Sequence, residues 1–348
     1  MAYTSAGVKP HGFVARLFRA FLSLVSVFFT LCSLVGAVFR VLPEELQRLP
    51  YVPEVAALAP EFVIVAVLGL LCALASRRWF TALLALLCSC TLAWYQYPFF
   101  VPSATFPSAA QQAVSERVPD TRDGYVRVMT ANVYMGQADP QAIVNMVRDE
   151  RVEVLALQET SKRFIGGLER AGIDDYLPYS QVSSSDGRFG NGLWSATPLD
   201  SPSNDDVHSR SSFMPGGTLS FPGGKGDVRF VSVHTTSPQP GSWAQWSRTL
   251  DDLCAKRADT SKRYVFLGDF NASYDHTAFR NFLGDRFTDA ARESGHGLVF
   301  TWPDDIRGVP RFVGIDHVIL DRGMSAGQVR SEPVPGSDHA ALLATIAV

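Results

Sequence analysis

Val265-Phe-Leu-Gly-Asp-Phe-Asn-Ala-Ser273 is the stretch on which the fold turns. An apolar run breaks at Gly268 into Asp269 and Asn271, so two polar side chains stand just past a buried strand. Further on, Gly336-Ser-Asp-His339 sets a carboxylate beside an imidazole after a Pro/Gly turn. Buried strands that end in Asp, Asn and His are where metal-assisted phosphate chemistry is built. The pattern points to an enzyme.

Outward from that stretch the same design repeats. Tyr125–Thr130 reads as a strand that exits through Ala131-Asn132-Val133, and a helix opening at Asp139-Pro140 follows. Val152–Leu157 is a second strand, ending in Gln158-Glu159-Thr160. Strand, helix, strand is the mark of an α/β layered fold. Gly190-Asn-Gly-Leu-Trp-Ser195 reads as a strand leaving a glycine turn, and a hairpin of Gly217–Phe221 with Asp227–Val233 delivers His234. Trp243, Trp246, Leu250 and Leu253 form one stripe of a helix over Ser242–Arg257. A strand over Phe312–Leu320 carries Asp316, and Ala340–Ala347 is the last strand.

The order of these signals (Asn132, Gln158-Glu159-Thr160, His234, Gly268-Asp-Phe-Asn271, Ile315-Asp-His317, Ser337-Asp-His339) resembles the endonuclease/exonuclease/phosphatase superfamily over residues 124–348. That group includes DNase I-like nucleases, neutral sphingomyelinases and inositol phosphatases. The resemblance implies a four-layer α/β sandwich, two mixed β-sheets flanked by helices, working with Mg²⁺ or Mn²⁺. It places the metal at Glu159 with Asn132 beside it, and Asp338 assisting. Hard cations take oxygen ligands, and Mg²⁺ keeps several waters, so one or two carboxylates suffice. The resemblance makes Asp269 the group that orients or deprotonates the attacking water, and Asn271 a contact to the phosphoryl oxygens. His339 and His234 would face the phosphate, and Asp316 would hold a histidine in its productive tautomer. Asn191 matches a substrate-contacting Asn-Gly segment and equally suits a turn. Plainer readings stand beside these: an Asx turn for Asp269 and Asn271, a loop cap for His234, a turn former for Asp316.

Ahead of this soluble part lies a different composition. Residues 1–97 read as a membrane domain of three transmembrane helices, over Ala20–Phe39, Val55–Ser76 and Trp79–Tyr97, the last ending in an aromatic belt. Residues 98–122, rich in Pro, Ala and Ser, read as a linker to a catalytic domain at 123–348. Lys9, Arg16, Arg19 and the Arg77-Arg78 turn place the N-terminus in the cytoplasm by the positive-inside rule, and three crossings leave the catalytic domain outside. A cleaved signal peptide ending near Ala37 would leave two spans and the same outside location. With the resemblance, this implies a multi-pass, membrane-anchored bacterial member of the superfamily.

Charge and cysteines narrow the partners. From Asp120 onward the chain carries 23 Lys and Arg against 29 Asp and Glu, a net of −6, which is unlike a tight, sequence-independent nucleic-acid binder. Four of the five cysteines lie in the apolar half, so no disulfide framework forms in the soluble part. The expected substrate is a phosphoester, with lipid or envelope phosphates favoured over nucleic acid. The alternatives are a surface nuclease acting on extracellular nucleic acid and a non-catalytic binding module. Oligomeric state is not legible.

Overall fold

The computed structural model describes residues 10–348 except 104, 116, 117, 119, 224 and 225. Packing divides the chain into two units: residues up to Leu42 with Leu58–Gln96, and Pro43–Ala57 with Tyr97–Val348.

The first unit consists of the helices Pro10–Val41, Ala59–Ala75 and Trp79–Gln96. Small residues line their contacts. A Cβ on Gly69 would lie 3.2 Å from Phe29 Cβ, and one on Gly36 would strike the Phe62 ring at 2.3 Å. Ala66, Ala73 and Ala85 are fully buried, whereas Leu24, Phe28, Leu71 and Leu87 point outward. Small side chains inside and large apolar ones outside is the arrangement that suits a lipid surround. Two of these helices, Phe13–Val41 and Trp79–Phe100, are long and apolar enough to cross a membrane, while the apolar helix between them has 17 residues. That middle helix starts at Ala59 rather than at the expected Val55, because Val55 lies in a short helix, Val52–Ala57, of the other unit.

The second unit holds two six-stranded sheets. Strands β1 (Tyr125–Asn132), β2 (Val154–Gln158), β3 (Tyr179–Ser183) and β4 (Asn191–Ser195) join the late strands β11 (Ser325–Glu332) and β12 (Ala341–Ala347) in the order β11-β12-β1-β2-β4-β3. Strands β5 (Asp200–Ser203), β6 (Gly216–Leu219), β7 (Val228–His234), β8 (Tyr264–Asp269), β9 (Phe287–Asp289) and β10 (Asp316–Asp321) form the other, in the order β5-β6-β7-β8-β10-β9. β1 with β2 and β7 with β8 are parallel, and every other pairing is antiparallel. The expected mixed sheets are present.

Strands apolar on both faces explain the layering, because successive residues point to opposite sides. Val126, Val128, Val154 and Ala156 meet Phe230, Val265, Leu267 and Val318 between the sheets. Their alternates, Met129, Ala131 and Leu155, pack outward with Ile143, Val147 and Phe164 of the helices Pro140–Glu150 and Lys162–Arg170. On the far side Val231 and Phe266 pack with Trp246, Leu250 and Phe279 of the helices Trp243–Cys254 and Thr277–Leu283. Helix, sheet, sheet, helix is the result.

Two segments outside the sandwich pack onto it. From the first, Glu54 accepts from Trp243 Nε1 (2.8 Å), Glu44 from Ser247 Oγ (2.7 Å) and Asn281 Nδ2 (2.8 Å), and the Pro53 carbonyl from His276 Nε2 (2.8 Å). From the second, Phe99 is buried edge-on to Tyr274, and its carbonyl accepts from Gly297 N at 2.6 Å. The start of the stretch read as a linker is therefore ordered against the sandwich. Its Pro/Ala/Ser composition reports only that no long regular element forms there.

Candidate active site

Strand register assembles the site. Asn132 of β1 pairs with Gln158 of β2, which pairs with Asn191 of β4. In the other sheet His234 of β7 pairs with Asp269 of β8, which pairs with Asp316 of β10. Each polar residue at a strand end is thus level with those of its neighbours. Asn132, Glu159, Asn191, His234, Asp269, Asp316 and His339 are all buried, at most 7% exposed, and Asp338 is half-buried beside them. Gly268 permits the convergence: a Cβ there would lie 1.9 Å from the Val233 carbonyl oxygen of the adjacent strand. The turns beyond the strand ends are tight, with positive φ at Tyr134 (48°), Met135 (54°), Glu159 (59°) and Asn271 (46°). Non-glycine residues in this region cost energy and cluster where a site needs them.

Hydrogen bonds join the two sheets at this rim. Asn132 Nδ2 donates to Asp269 Oδ2 (3.0 Å), and Asn271 Nδ2 donates to the same oxygen (3.2 Å) and to the Thr235 carbonyl (3.0 Å). Glu159 Oε2 accepts from Met135 N (2.8 Å), while its other oxygen lies 3.8 Å from His234 Nε2. His234 Nε2 and His339 Nε2 stand 3.7 and 3.8 Å from Asp269 Oδ2. Asp316 Oδ2 accepts from His339 Nδ1 at 2.9 Å, which orients the ring toward Asp269.

Burial sets the charge states. It pulls the His339 imidazole down, but Asp316 and Asp269 outweigh it and hold the group up at about 10, so it is an imidazolium at neutral pH. His234 keeps a lowered pKa, because burial outweighs the pull of Asp269. Burial likewise pushes Glu159, Asp269 and Asp338 above the usual carboxylate range, with the histidines opposing it. One imidazole is charged and the other neutral. They are equipped for different work.

A divalent cation suits this donor set. Asp316 Oδ1 and Asp338 Oδ1 are buried without a hydrogen-bond partner among the described residues, and a buried, unpartnered carboxylate oxygen gains from a positive neighbour. The resemblance assigns the metal to Asn132, Glu159 and Asp338. The possible ligand atoms that lie within 4.8 Å of one another among the described residues are instead those of Asp269, Asp316 and His339. His339 gives its Nδ1–H to Asp316, so that trio is an imidazole held between two acids, and the oxygens of Glu159 and Asp338 are the better hard-cation donors.

Several supporting contacts are made by residues to which the sequence assigns no site role. Gln158 is fully buried and bridges the sheets, accepting from Thr130 Oγ1 (3.1 Å) and donating to Ser232 Oγ (3.2 Å). Ser337 Oγ donates to the Asn132 carbonyl (2.7 Å) and accepts from His339 N (3.0 Å). His317 faces the helical layer, where Nδ1 meets Asp289 Oδ2 (2.5 Å) and Nε2 the Ala272 carbonyl (2.8 Å). Period-two alternation after Asp316 turns it away from the site, as a packing role requires.

A two-sheet α/β sandwich with acids, amides and imidazoles at one rim defines the DNase I-like class of fold. The model of the Endonuclease/Exonuclease/phosphatase family matches residues 129–339, more than half of the chain, and the chain belongs to that family. Solved structures with the same fold include truncated Caenorhabditis elegans TDP2 (17% identity, 66% of this chain, 100% of that one, TM-score 0.52). An AP endonuclease from Archaeoglobus fulgidus matches at 15% identity over 63% of this chain and 98% of that one, with TM-score 0.51. The 3′ phosphatase NExo from Neisseria, bound to product DNA hairpin, matches at 19% over 63% and 98%, with TM-score 0.50. A search of curated proteins returned no match.

Proposed function

We propose that this is a membrane-anchored, divalent-cation-dependent phosphoesterase that cleaves phosphodiester or phosphomonoester bonds of phospholipids or lipid-linked envelope compounds. The observation that carries the chemistry is the register-matched rim, where Asp269 sits among Asn132, Asn271, His234 and His339. Asp269, with its raised pKa, takes the proton of the attacking water. The imidazolium of His339, held by Asp316, and the Asn271 amide stabilise the charge gathering on the phosphoryl oxygens. Neutral His234 orients the water or an oxygen of the substrate. Glu159, Asn132 and Asp338 would hold Mg²⁺ or Mn²⁺, which supplies Lewis-acid stabilisation of the phosphoryl group. Asn191, with Oδ1 buried and unpartnered among the described residues, would accept a hydrogen bond from the substrate.

Chain connectivity supports the location. Residues 43–57 and 97 onward belong to the unit that carries the site, so the chain between them leaves that unit and returns. Its two apolar helices therefore either both cross a membrane or both do not. Outward-facing Leu and Phe and the Arg77-Arg78 turn between the two helices favour crossing, with the 17-residue helix, about 25 Å long, extended by snorkelling arginines. Three crossings then set the N-terminus in the cytoplasm and the catalytic unit outside.

Full-length protein held in amphipol, given Mg²⁺ or EDTA, separates the substrate classes. Metal-dependent cleavage of phosphatidylglycerol or phosphatidic acid in mixed micelles, with supercoiled plasmid left intact, is the expected result. Plasmid nicking without lipid turnover would replace this reading with a surface nuclease.

A further inference from the structure

Exposed large apolar side chains are few in the catalytic fold, and they are concentrated. Among the described residues of 123–348 they are Tyr176, Tyr179, Phe189, Phe213, Ile306 and Val309. Four of these six ride on segments tied directly to site residues. Phe189 (56% exposed) and Phe213 (44%) are neighbours through a backbone bond, Phe213 N to Phe189 O, 3.2 Å. Asn191 Nδ2 donates to the Phe213 carbonyl, and Ser212 Oγ to the His234 carbonyl. Gly190, next to Phe189, gives its carbonyl to Thr160 N (2.8 Å), the residue after Glu159. A Cβ on Gly190 would lie 2.0 Å from the Thr160 carbonyl oxygen, so this approach is close and fixed. Ile306 and Val309 occupy the turn whose start is held by Asp304 N to the Asp338 carbonyl at 2.8 Å.

Exposed cations lie on these segments, Arg188 and, on the turn of Ile306 and Val309, Arg307. Arg188 precedes Phe189; its charge acts on Glu159, and its backbone lies against the His234 ring. An exposed arginine whose charge reaches Glu159 at the edge of a phosphate site is placed to fork two oxygens of an anion. Exposed aromatic and branched side chains around a polar cleft mark a binding surface, because solvent exposure of such groups is unfavourable without a partner.

We propose that Arg188, Phe189, Phe213, Ile306 and Val309 form a specificity rim that takes an amphiphilic phosphoester, the guanidinium binding a non-reacting oxygen of its phosphate and the apolar side chains its hydrocarbon. The proposal rests on the phosphoesterase reading and narrows its substrate to a lipid phosphate. A nucleic acid would place bases on the two rings, but the net acidic catalytic half and the aliphatic Ile306 and Val309 favour hydrocarbon.

The test measures binding separately from turnover. Full-length protein carrying Asp269→Asn, in amphipol with Mg²⁺, is titrated by calorimetry with soluble dihexanoyl-phosphatidylglycerol and with its deacylated head group, glycerophosphoglycerol. The acylated probe should bind at least tenfold tighter. Phe189→Ser with Phe213→Ser should erase that ratio, and Arg188→Gln should weaken both probes about tenfold. Equal affinity for the two probes, or a ratio that survives the double substitution, overturns the rim. So does an oligodeoxythymidylate that binds tighter than the deacylated head group and loses this in the double variant. The hydrolase reading fails on a different observable: the protein with Asp269 intact cleaving neither probe while the binding ratio stands.

Discussion

At the residue scale the site is a problem of burying charge. Four carboxylates and two imidazoles share one cleft, and each needs a partner or a shifted pKa. His339 shows how this is met, with Asp316 on Nδ1 at 2.9 Å and Asp269 facing Nε2 at 3.8 Å. The raised pKa of His339 links folding to pH. A group raised in the folded state stabilises it fully below its unfolded value, about 6.5, and loses that contribution as pH climbs through the folded value of about 10. In EDTA, stability of the catalytic unit should therefore fall between about pH 7 and 10, and His339→Gln should flatten that slope. Thermal melts followed by tryptophan fluorescence across this range check it, and an unchanged slope in the variant would contradict it. These residues were legible because each interrupts an apolar run. Gln158 and Ser337 stood in the same motifs, but their bridging roles were not legible, since a buried polar side chain inside or beside a strand looks in sequence like a surface one.

At the element scale the segment 43–57 matters most. It lies between two apolar helices in sequence and packs on the catalytic unit in space. Its hold reaches the catalytic loop, because His276 donates to the Pro53 carbonyl while its Nδ1 accepts from Ser273 N (2.9 Å). Trp246, edge-on to His276, donates to the Asn271 carbonyl at 2.9 Å. Neutral His276 is required, and burial depresses its pKa to about 4. A histidine lowered in this way stabilises the fold above its unfolded value and loses that contribution as pH falls from about 6.5 through 4, about 3 kcal/mol in all. Protection factors for hydrogen exchange over residues 271–276 should fall across that window in the full chain, and at neutral pH in a fragment starting at residue 97. Equal protection in fragment and full chain would show that the segment does not support the loop. Sequence reading located the eight inner strands, since alternation and turn residues are local signals, and missed the four edge strands β3, β5, β9 and β11, which are short or half-exposed and carry no apolar run. It missed the start of the middle helix because Val55–Ala57 is apolar for docking on protein, which composition cannot tell from burial in lipid. It also began β10 too early, at Phe312, since an apolar residue making one isolated bridge resembles a strand.

At the scale of the whole molecule, fold and site were readable together because this family places its chemistry where strands end. Two parallel pairs, β1 with β2 and β7 with β8, carry Asn132, Glu159, His234 and Asp269 to the same rim. The sandwich supplies rigidity, with Gln158 and Ser232 bridging the sheets just beneath. What remained illegible was the rim above that cleft: Arg188, Phe189 and Phe213 are ordinary surface residues until the backbone bonds to Thr160 and Asn191 place them there.

Turnover of bis(p-nitrophenyl) phosphate by full-length protein in amphipol tests the central claim most directly. It should require Mg²⁺ or Mn²⁺ and vanish in EDTA. Asp269→Asn should lower kcat at least about a thousandfold, and Glu159→Gln should lower it about a hundredfold and be partly rescued at high metal concentration. Turnover that ignores EDTA, or that survives Asp269→Asn in a folded protein, would contradict the account.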